Sequence, residues 1–234
     1  MRISKSKIIT LETCPRLFQW QYIDYRIPDI TDNTLALVGT EIHDMFNRFF
    51  DKVVIDEIPE KNNYEYFKSL LEVPIYYKSI YDLFCLNESK RYELLEDKEF
   101  FIPVLREKKL YSKDGTLSGI IDRVDYHNDE YLIMEYKGDV SGQSRLRFEL
   151  NFYKNLLDDN NILDKPVKYI AAYGYKSGQM FGPEPIKTIS YNTMLKKVKA
   201  FSELNFKNLV YNKKKNYACE TWCPYKISCL KYED

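Results

Sequence analysis

The chain carries no surplus of either charge: 35 Lys and Arg stand against 35 Asp and Glu in 234 residues. Overall charge therefore announces no nucleic-acid partner, and any such site has to be a local basic strip balanced by acidic surface elsewhere. Long apolar runs are also missing, and no stretch is long enough to span a bilayer. Met1 to Thr10 alternates polar and apolar residues and lacks the apolar segment of a secretory leader. The expectation is an intracellular protein with no membrane association. There is no internal repeat and no low-complexity linker. Cysteine is limited to five residues. In a reducing compartment these are thiols or metal ligands rather than a disulfide framework.

What is present is an ordinary globular balance, 44% hydrophobic and 30% charged. The length fits one domain, or one domain with an appendage. Aromatic residues reach 15%, including 21 Tyr, a side chain that serves both cores and stacking surfaces. Lys213-Lys214-Lys215 and Lys196, Lys197 and Lys199 are candidate basic strips, although such runs are ordinarily solvated faces.

Hydrophobic spacing predicts a helix over residues 4–26, capped by Ser4 or Ser6, and a second from Asn33 to Phe50 with Leu35, Val38, Ile42, Met45, Phe46 and Phe49 buried. A third runs from Tyr64 to Leu86, interrupted or kinked at Pro74. The period then changes. Phe100–Tyr111 reads as a strand, Lys113-Asp114-Gly115 as a turn, and Leu117–Tyr126 and Tyr131–Lys137 as two further strands. Gln143–Asp158 is helical, Val167–Tyr175 a fourth strand, Ile186–Tyr191 a short fifth, and Asn192–Phe206 a helix capped by Asn192. The tail from Asn212 reads as irregular. This order gives an α/β or α+β sandwich.

The sharpest local inference concerns the hairpin. Asn128-Asp129 suits a two-residue turn, and that register sets Asp122 directly across from Glu135. Side chains alternate along a strand, so Glu135, Lys137 and Asp122 share one face. Opposed carboxylates have Cβ atoms roughly 4.5–5.5 Å apart and repel. A hard divalent cation converts that repulsion into chelation, and Lys137 is placed to assist a water and offset charge on a phosphate. Ile120, Ile121, Leu132, Ile133 and Met134 make both strands read as buried, where carboxylates need partners.

Gly119-Ile120-Ile121-Asp122-Arg123-Val124-Asp125 followed by Glu135-Tyr136-Lys137 resembles the G-x-x-D-R-x-D … (D/E)-x-K signature of RecB-like PD-(D/E)XK nucleases. Ser4-Lys5-Ser6 through Cys14-Pro15-Arg16-Leu17-Phe18 resembles that family's S-x-S … C-P-x-x-F segment. Gly39 to His43 resembles its G-x-x-x-H helix motif. Four pieces in the family's order span nearly the whole chain. The resemblance implies a restriction-endonuclease-like core with a mixed central sheet flanked by helices. It also implies Mg2+ or Mn2+ held by His43, Asp122, Glu135 and the carbonyl of Tyr136, and an imidazole ligand suits Mn2+ better than Mg2+. Tyr153 matches the family's Q-x-x-x-Y helix motif as a further catalytic residue, but Glu149 replaces the Gln. Arg145 and Arg147 are candidates for phosphate contacts.

Cys219, Cys223 and Cys229 are close enough in sequence for one metal centre that lacks a fourth ligand. With Cys14, which falls in the matching N-terminal segment, the pattern resembles the iron–sulfur branch of the superfamily, which includes the AddB nuclease domain and CRISPR-associated RecB-like nucleases. In that branch four cysteines hold a [4Fe–4S] cluster that fastens the chain ends. The branch usually places two residues between the first two cysteines of the trio, whereas here there are three. Spacing leaves a zinc site with four cysteine ligands open as the rival. Cys85, beside Phe84 and Leu86, reads as a core thiol.

The resulting expectation is a single nuclease domain over 1–234. It has a helical part over 1–95, a catalytic core over 96–211 and a Cys-rich tail over 212–234 joined to Cys14. The expected activity is exonucleolytic hydrolysis of single-stranded DNA, with a helicase, recombination or integrase partner. The alternatives are a DNA-trimming nuclease of CRISPR adaptation and a catalytically inactive DNA-binding scaffold of the same fold.

Overall fold

A computed structural model describes residues 1–30 and 34–231. Two short helices open the chain where the sequence predicts one: α1 spans Lys5–Thr13 and α2 spans Pro15–Tyr22. Ser4 caps α1, its hydroxyl accepting from the Lys7 N–H at 3.4 Å. The break falls at Cys14, whose backbone is extended at φ −157°, ψ 111°. Its cause is Pro15, whose ring forces the preceding residue out of the helical region while suiting the first position of the next helix.

Helix α3 spans Thr34–Lys52; the predicted start at Asn33 and the Leu35 side chain lie outside what is described. Ile42, Met45, Phe46 and Phe49 are all buried, as the stripe predicted. The predicted helix is interrupted around Pro74 rather than kinked: it stops at Ser69, and Pro74 leads into the next turn. Thus α4 spans Asn63–Ser69, a 3-10 turn follows at Ile75–Tyr77, and α5 then runs Lys78–Leu94, past the expected end at Leu86.

Strand β1 is shorter than predicted, Leu105–Tyr111, because Lys98–Phe101 forms a 3-10 turn. β2 spans Ser118–His127, β3 Glu130–Lys137, α6 Gln143–Asn160 and β4 Val167–Gly174. The expected fifth strand at Ile186–Tyr191 is displaced: β5 is Gln179–Pro185. Its two prolines and a glycine hide it in the sequence, and an edge strand is where a sheet tolerates proline. Gly182 has φ +76°, and a Cβ there would lie 2.5 Å from the Ile170 carbonyl oxygen. The next helix accordingly begins earlier than Asn192, with α7 at Thr188–Ser202. The tail is more regular than predicted, carrying α8, Tyr217–Thr221, and α9, Lys226–Lys231.

The five strands lie in the order β1-β2-β3-β4-β5, with β3 and β4 parallel and the other neighbours antiparallel. Helices cover both faces. Ile8 of α1, Phe18 of α2, Leu150 and Leu156 of α6 and Phe201 of α7 pack on one side against Ile121, Val124, Ile133 and Ile170. Phe46 and Phe49 of α3 and Phe84 of α5 pack on the other against Leu132, Met134 and Tyr173. This is the expected mixed sheet flanked by helices, with the hairpin in its middle. No described helix is long and apolar enough to cross a membrane.

Candidate active site

The hairpin is the frame of the site. Asn128 and Asp129 both have positive φ, 49° and 62°, as a tight turn between twisted strands requires. The ladder runs from His127 opposite Glu130 to Arg123 opposite Met134. The ladder stops there, and Asp122 and Glu135 are the next residue on each strand. The Tyr136 N–H donates to Asp122 Oδ2 at 2.8 Å, which fixes that carboxylate. Both acids are buried, Asp122 at 6% and Glu135 at 3% exposure.

Asp122 belongs to a compact group that the sequence only half revealed. His43, on α3, brings Nδ1 to 3.5 Å from Asp122 Oδ1 and 3.3 Å from Glu107 Oε1. The three ligand-capable atoms lie within 4.8 Å of one another, a spacing suited to one cation. Glu107, on β1, was not expected here. Its φ of 43° takes it out of the ladder between Arg106 and Lys108, and such local strain in a non-glycine residue is typical of functional positions. Burial alone would push the His43 imidazole down, but Asp122 and Glu107 raise it to about 10. Without an ion, the proton on His43 is the positive charge of this group.

Glu135 stands outside that triad and is held by lysines. Its Oε1 accepts from Lys137 Nζ at 2.8 Å and from Lys5. Glu149, on α6, accepts at Oε2 from Lys137 at 2.7 Å and pairs with Lys5 at 3.1 Å, while Arg145 Nε donates to its Oε1 at 2.9 Å. Burial would raise the Glu149 carboxyl, yet Lys5 and Lys137 hold it at about 2. For Glu135 burial wins, and its carboxyl is raised despite Lys5. Its Oε2 is buried without a hydrogen-bond partner, and Glu107 Oε1 is buried with only its ionic contact to His43. Such under-satisfied oxygens are costly unless a cation completes them, so the residues present fit a hard divalent ion.

Tyr153 lies at the edge of this group, with Lys5 Nζ 4.4 Å above its ring. Gly119 lets it approach, since a Cβ there would sit 2.8 Å from Tyr153 Cε1. Burial, then the negative field of Glu135, Asp122 and Glu149, raises the Tyr153 hydroxyl. It therefore stays protonated and can donate but not act as a base. Tyr136 turns its ring away from the carboxylates, edge-on to His43 at 5.5 Å and to Phe46 at 4.9 Å. Arg147 is not part of the site; it makes a two-pronged pair with Glu184 at 2.6 and 2.8 Å. Lys5 and Glu107 are the two members that sequence reasoning missed. Lys5 lies inside the N-terminal motif, where it occupies the variable position between Ser4 and Ser6.

The four predicted cysteines line one cavity of about 360 Å3, walled also by Trp20 and Tyr225. Cys14 reaches it because α1 and α2 break there, and the Lys214 N–H donates to its sulfur at 3.5 Å. Burial pushes the Cys223 thiol up, and Cys219, Cys229 and Cys14 add to the shift. Tyr225 and Ser228 fasten the tail to the N-terminal segment through the Arg26 carbonyl at 2.8 Å and through Asp29. Cys85 is apart from the four, buried on α5 against the aromatic cluster.

Lys213, Lys214 and Lys215 border the cysteine cavity. Lys197 pairs with Glu12 at 2.7 Å, and Lys199 lies 3.8 Å from Glu203. Comparison with known families gives a match to the PD-(D/E)XK nuclease superfamily over residues 2–230. No curated protein matches the chain.

Proposed function

This chain belongs to the PD-(D/E)XK nuclease superfamily, and from that premise we propose that it is a metal-dependent exonuclease of the RecB-like, iron–sulfur branch acting on single-stranded DNA. The observation that supports the reading is the group at the end of the β2–β3 ladder, where His43, Glu107 and Asp122 bring ligand atoms within 4.8 Å of one another and Lys137 pairs with Glu135 at 2.8 Å. His43, Glu107 and Asp122 would hold a Mg2+ or Mn2+ ion, with Glu135 and the Tyr136 carbonyl completing its shell. Such an ion polarises a phosphoryl oxygen and makes a water acidic enough to attack at neutral pH.

The protein's own groups do the rest. Lys137 orients the attacking water and offsets charge on the phosphate. Tyr153 donates its hydroxyl proton to a phosphate oxygen without losing it. Arg145, more than half exposed while tied to Glu149, is placed to meet the incoming backbone.

Support for a [4Fe–4S] cluster comes from the four cysteines lining one cavity of about 360 Å3, room enough for a group bulkier than a single ion. The cluster's role is structural, joining the N-terminal helices to the tail.

The test is digestion of end-labelled linear and circular single-stranded DNA with Mg2+ or Mn2+. Progressive shortening of linear DNA, with circles intact, is the expected result. Cut circles would replace the exonuclease reading with an endonuclease, and no cleavage of either would overturn the activity. Protein purified without oxygen should be brown with about four irons per chain; colourless protein with stoichiometric zinc would replace the cluster.

A further inference from the structure

On the nuclease reading above, the geometry points to Lys5 as a fixed cation standing where a second divalent ion would otherwise sit, so that the active site takes a single ion. Lys5 and Lys137 each bridge the same two carboxylate oxygens. Lys137 lies 2.8 Å from Glu135 Oε1 and 2.7 Å from Glu149 Oε2; Lys5 pairs with that same Glu135 oxygen and lies 3.1 Å from Glu149 Oε2. Two ammonium groups and two carboxylates close into a ring, and Arg145 Nε holds the other oxygen of Glu149 at 2.9 Å.

Lys5 is not a surface side chain that happens to reach inward. Its side chain is 15% exposed, and the Tyr153 ring covers its ammonium from a third direction. The backbone before it is pinned to the sheet: the Ile3 N–H donates to the Thr116 carbonyl at 2.8 Å, and the Ser118 N–H to the Ile3 carbonyl at 2.9 Å. The Ser4 cap then starts α1 with Lys5 as its first residue.

The other half of the site is unbalanced. Glu107 and Asp122 share one imidazole, and Glu135 Oε2 is buried without a partner. One divalent ion answers that residual negative charge. A second, placed between Glu135 and Glu149, would have to displace both lysines or sit within a few ångströms of them, and like charges at that distance repel strongly in a buried site. Lys5 thus supplies preorganised positive charge across from the ion, where negative charge grows during phosphodiester cleavage.

The test counts ions. The full chain, with its cysteine site loaded, is dialysed against Mn2+ as wild type, Lys5→Gln, Lys5→Arg and Asp122→Asn, with circular dichroism to verify folding. Wild type should hold one Mn2+ that Asp122→Asn loses. Lys5→Gln should gain a second, weaker Mn2+ and lose cleavage by about 10- to 100-fold, whereas Lys5→Arg should stay at one ion and cut better than Lys5→Gln. Two Asp122-dependent ions in wild type, or a folded Lys5→Gln that still holds one, would overturn the proposal. Should Lys5→Gln not fold, the wild-type count and Lys5→Arg decide it. Wild type that cuts DNA while holding two ions removes only the role of Lys5; wild type that neither binds Mn2+ through Asp122 nor cuts DNA removes the nuclease reading with it.

Discussion

Asp122 and Arg123 are adjacent on β2, and each sits in its own buried group of charges. Behind the sheet, Arg123 Nη1 donates to Glu88 Oε1 at 2.6 Å, and its Nε lies 2.8 Å from Asp125. Arg91 bonds the second oxygen of Glu88 at 2.7 Å. Two cations meet two carboxylates, and Arg123 is completely buried. In front, Lys5, Lys137 and Arg145 meet Glu135 and Glu149, while Glu107 and Asp122 share His43. The rear group matches its cations to its carboxylates one to one, although Arg91 Nη1 and Asp125 Oδ2 lack hydrogen-bond partners, and it holds the fold. The front group instead sets two acids, Glu107 and Asp122, on a single imidazole, and that pair is what invites an ion. A buried charge is therefore informative about function only once its neighbours have been counted.

The largest expected effect separates the two groups. Asp122→Ala, Glu135→Ala or Lys137→Ala should each abolish cleavage of end-labelled DNA with little change in the yield of folded protein. Retention of wild-type rates by two of the three would erase the distinction. On the rear side Arg123→Met should act through stability, because breaking a buried pair leaves a carboxylate without its partner at a cost of about 3–5 kcal/mol. That corresponds to roughly 10 °C in melting temperature for a chain of this size, with cleavage per folded molecule retained.

Cys14→Ala extends the comparison to the third buried group. It should strip the metal from the tail and lower the melting temperature, since a cross-link near both chain ends restricts the unfolded chain. Cys85→Ser should leave the metal content unchanged. The readouts are iron and zinc content alongside thermal unfolding. A Cys14→Ala protein that melts like wild type but cannot cut would contradict a structural role.

The smallest effect is electrostatic. His43 has an ordinary value of 6.5 and is raised to about 10 in the fold. Its stabilisation is fully present below about 6.5 and disappears as pH climbs through about 10. Metal-free protein should therefore melt lower at pH 10 than at pH 6.5, and His43→Gln should flatten that slope. Because an ion must displace the same proton, Mn2+ affinity should rise over this range. An unchanged slope in His43→Gln would mean that the proton resides elsewhere.

The hairpin was legible in the sequence because two short-range signals agree. Asn128-Asp129 tolerates positive φ, and the flanking apolar residues fix which face is which. The face of α3 was legible for a similar reason, since its stripe repeats over several turns. Lys5 and Glu107 carried no such signal. Each is one charged residue among several, Lys5 in Ser4-Lys5-Ser6-Lys7 and Glu107 in Arg106-Glu107-Lys108-Lys109, and only the fold selects which of them turns inward. Glu149 read as a departure from the Gln of the resembling motif. Its charge makes sense beside Lys5, which pairs with it at 3.1 Å. The fifth strand was misplaced because its edge position relaxes the composition expected of a strand. The helix break at Cys14 was available from Pro15 but was overridden by the apolar spacing on either side.

Helix α1 begins at Lys5 and ends one residue before Cys14. With a rise of about 1.5 Å per residue it is a rod of roughly 14 Å, anchored to the sheet at its start and to the cysteine cavity at its finish. A rod fixed at both ends can neither slide nor turn without moving both. The distance and the rotational phase between the active-site ammonium and the cysteine sulfur are thus set by one rigid turn count. Inserting a single alanine into α1 would swing Lys5 about 100° around the helix axis relative to Cys14, so the two sites cannot be repositioned independently of each other.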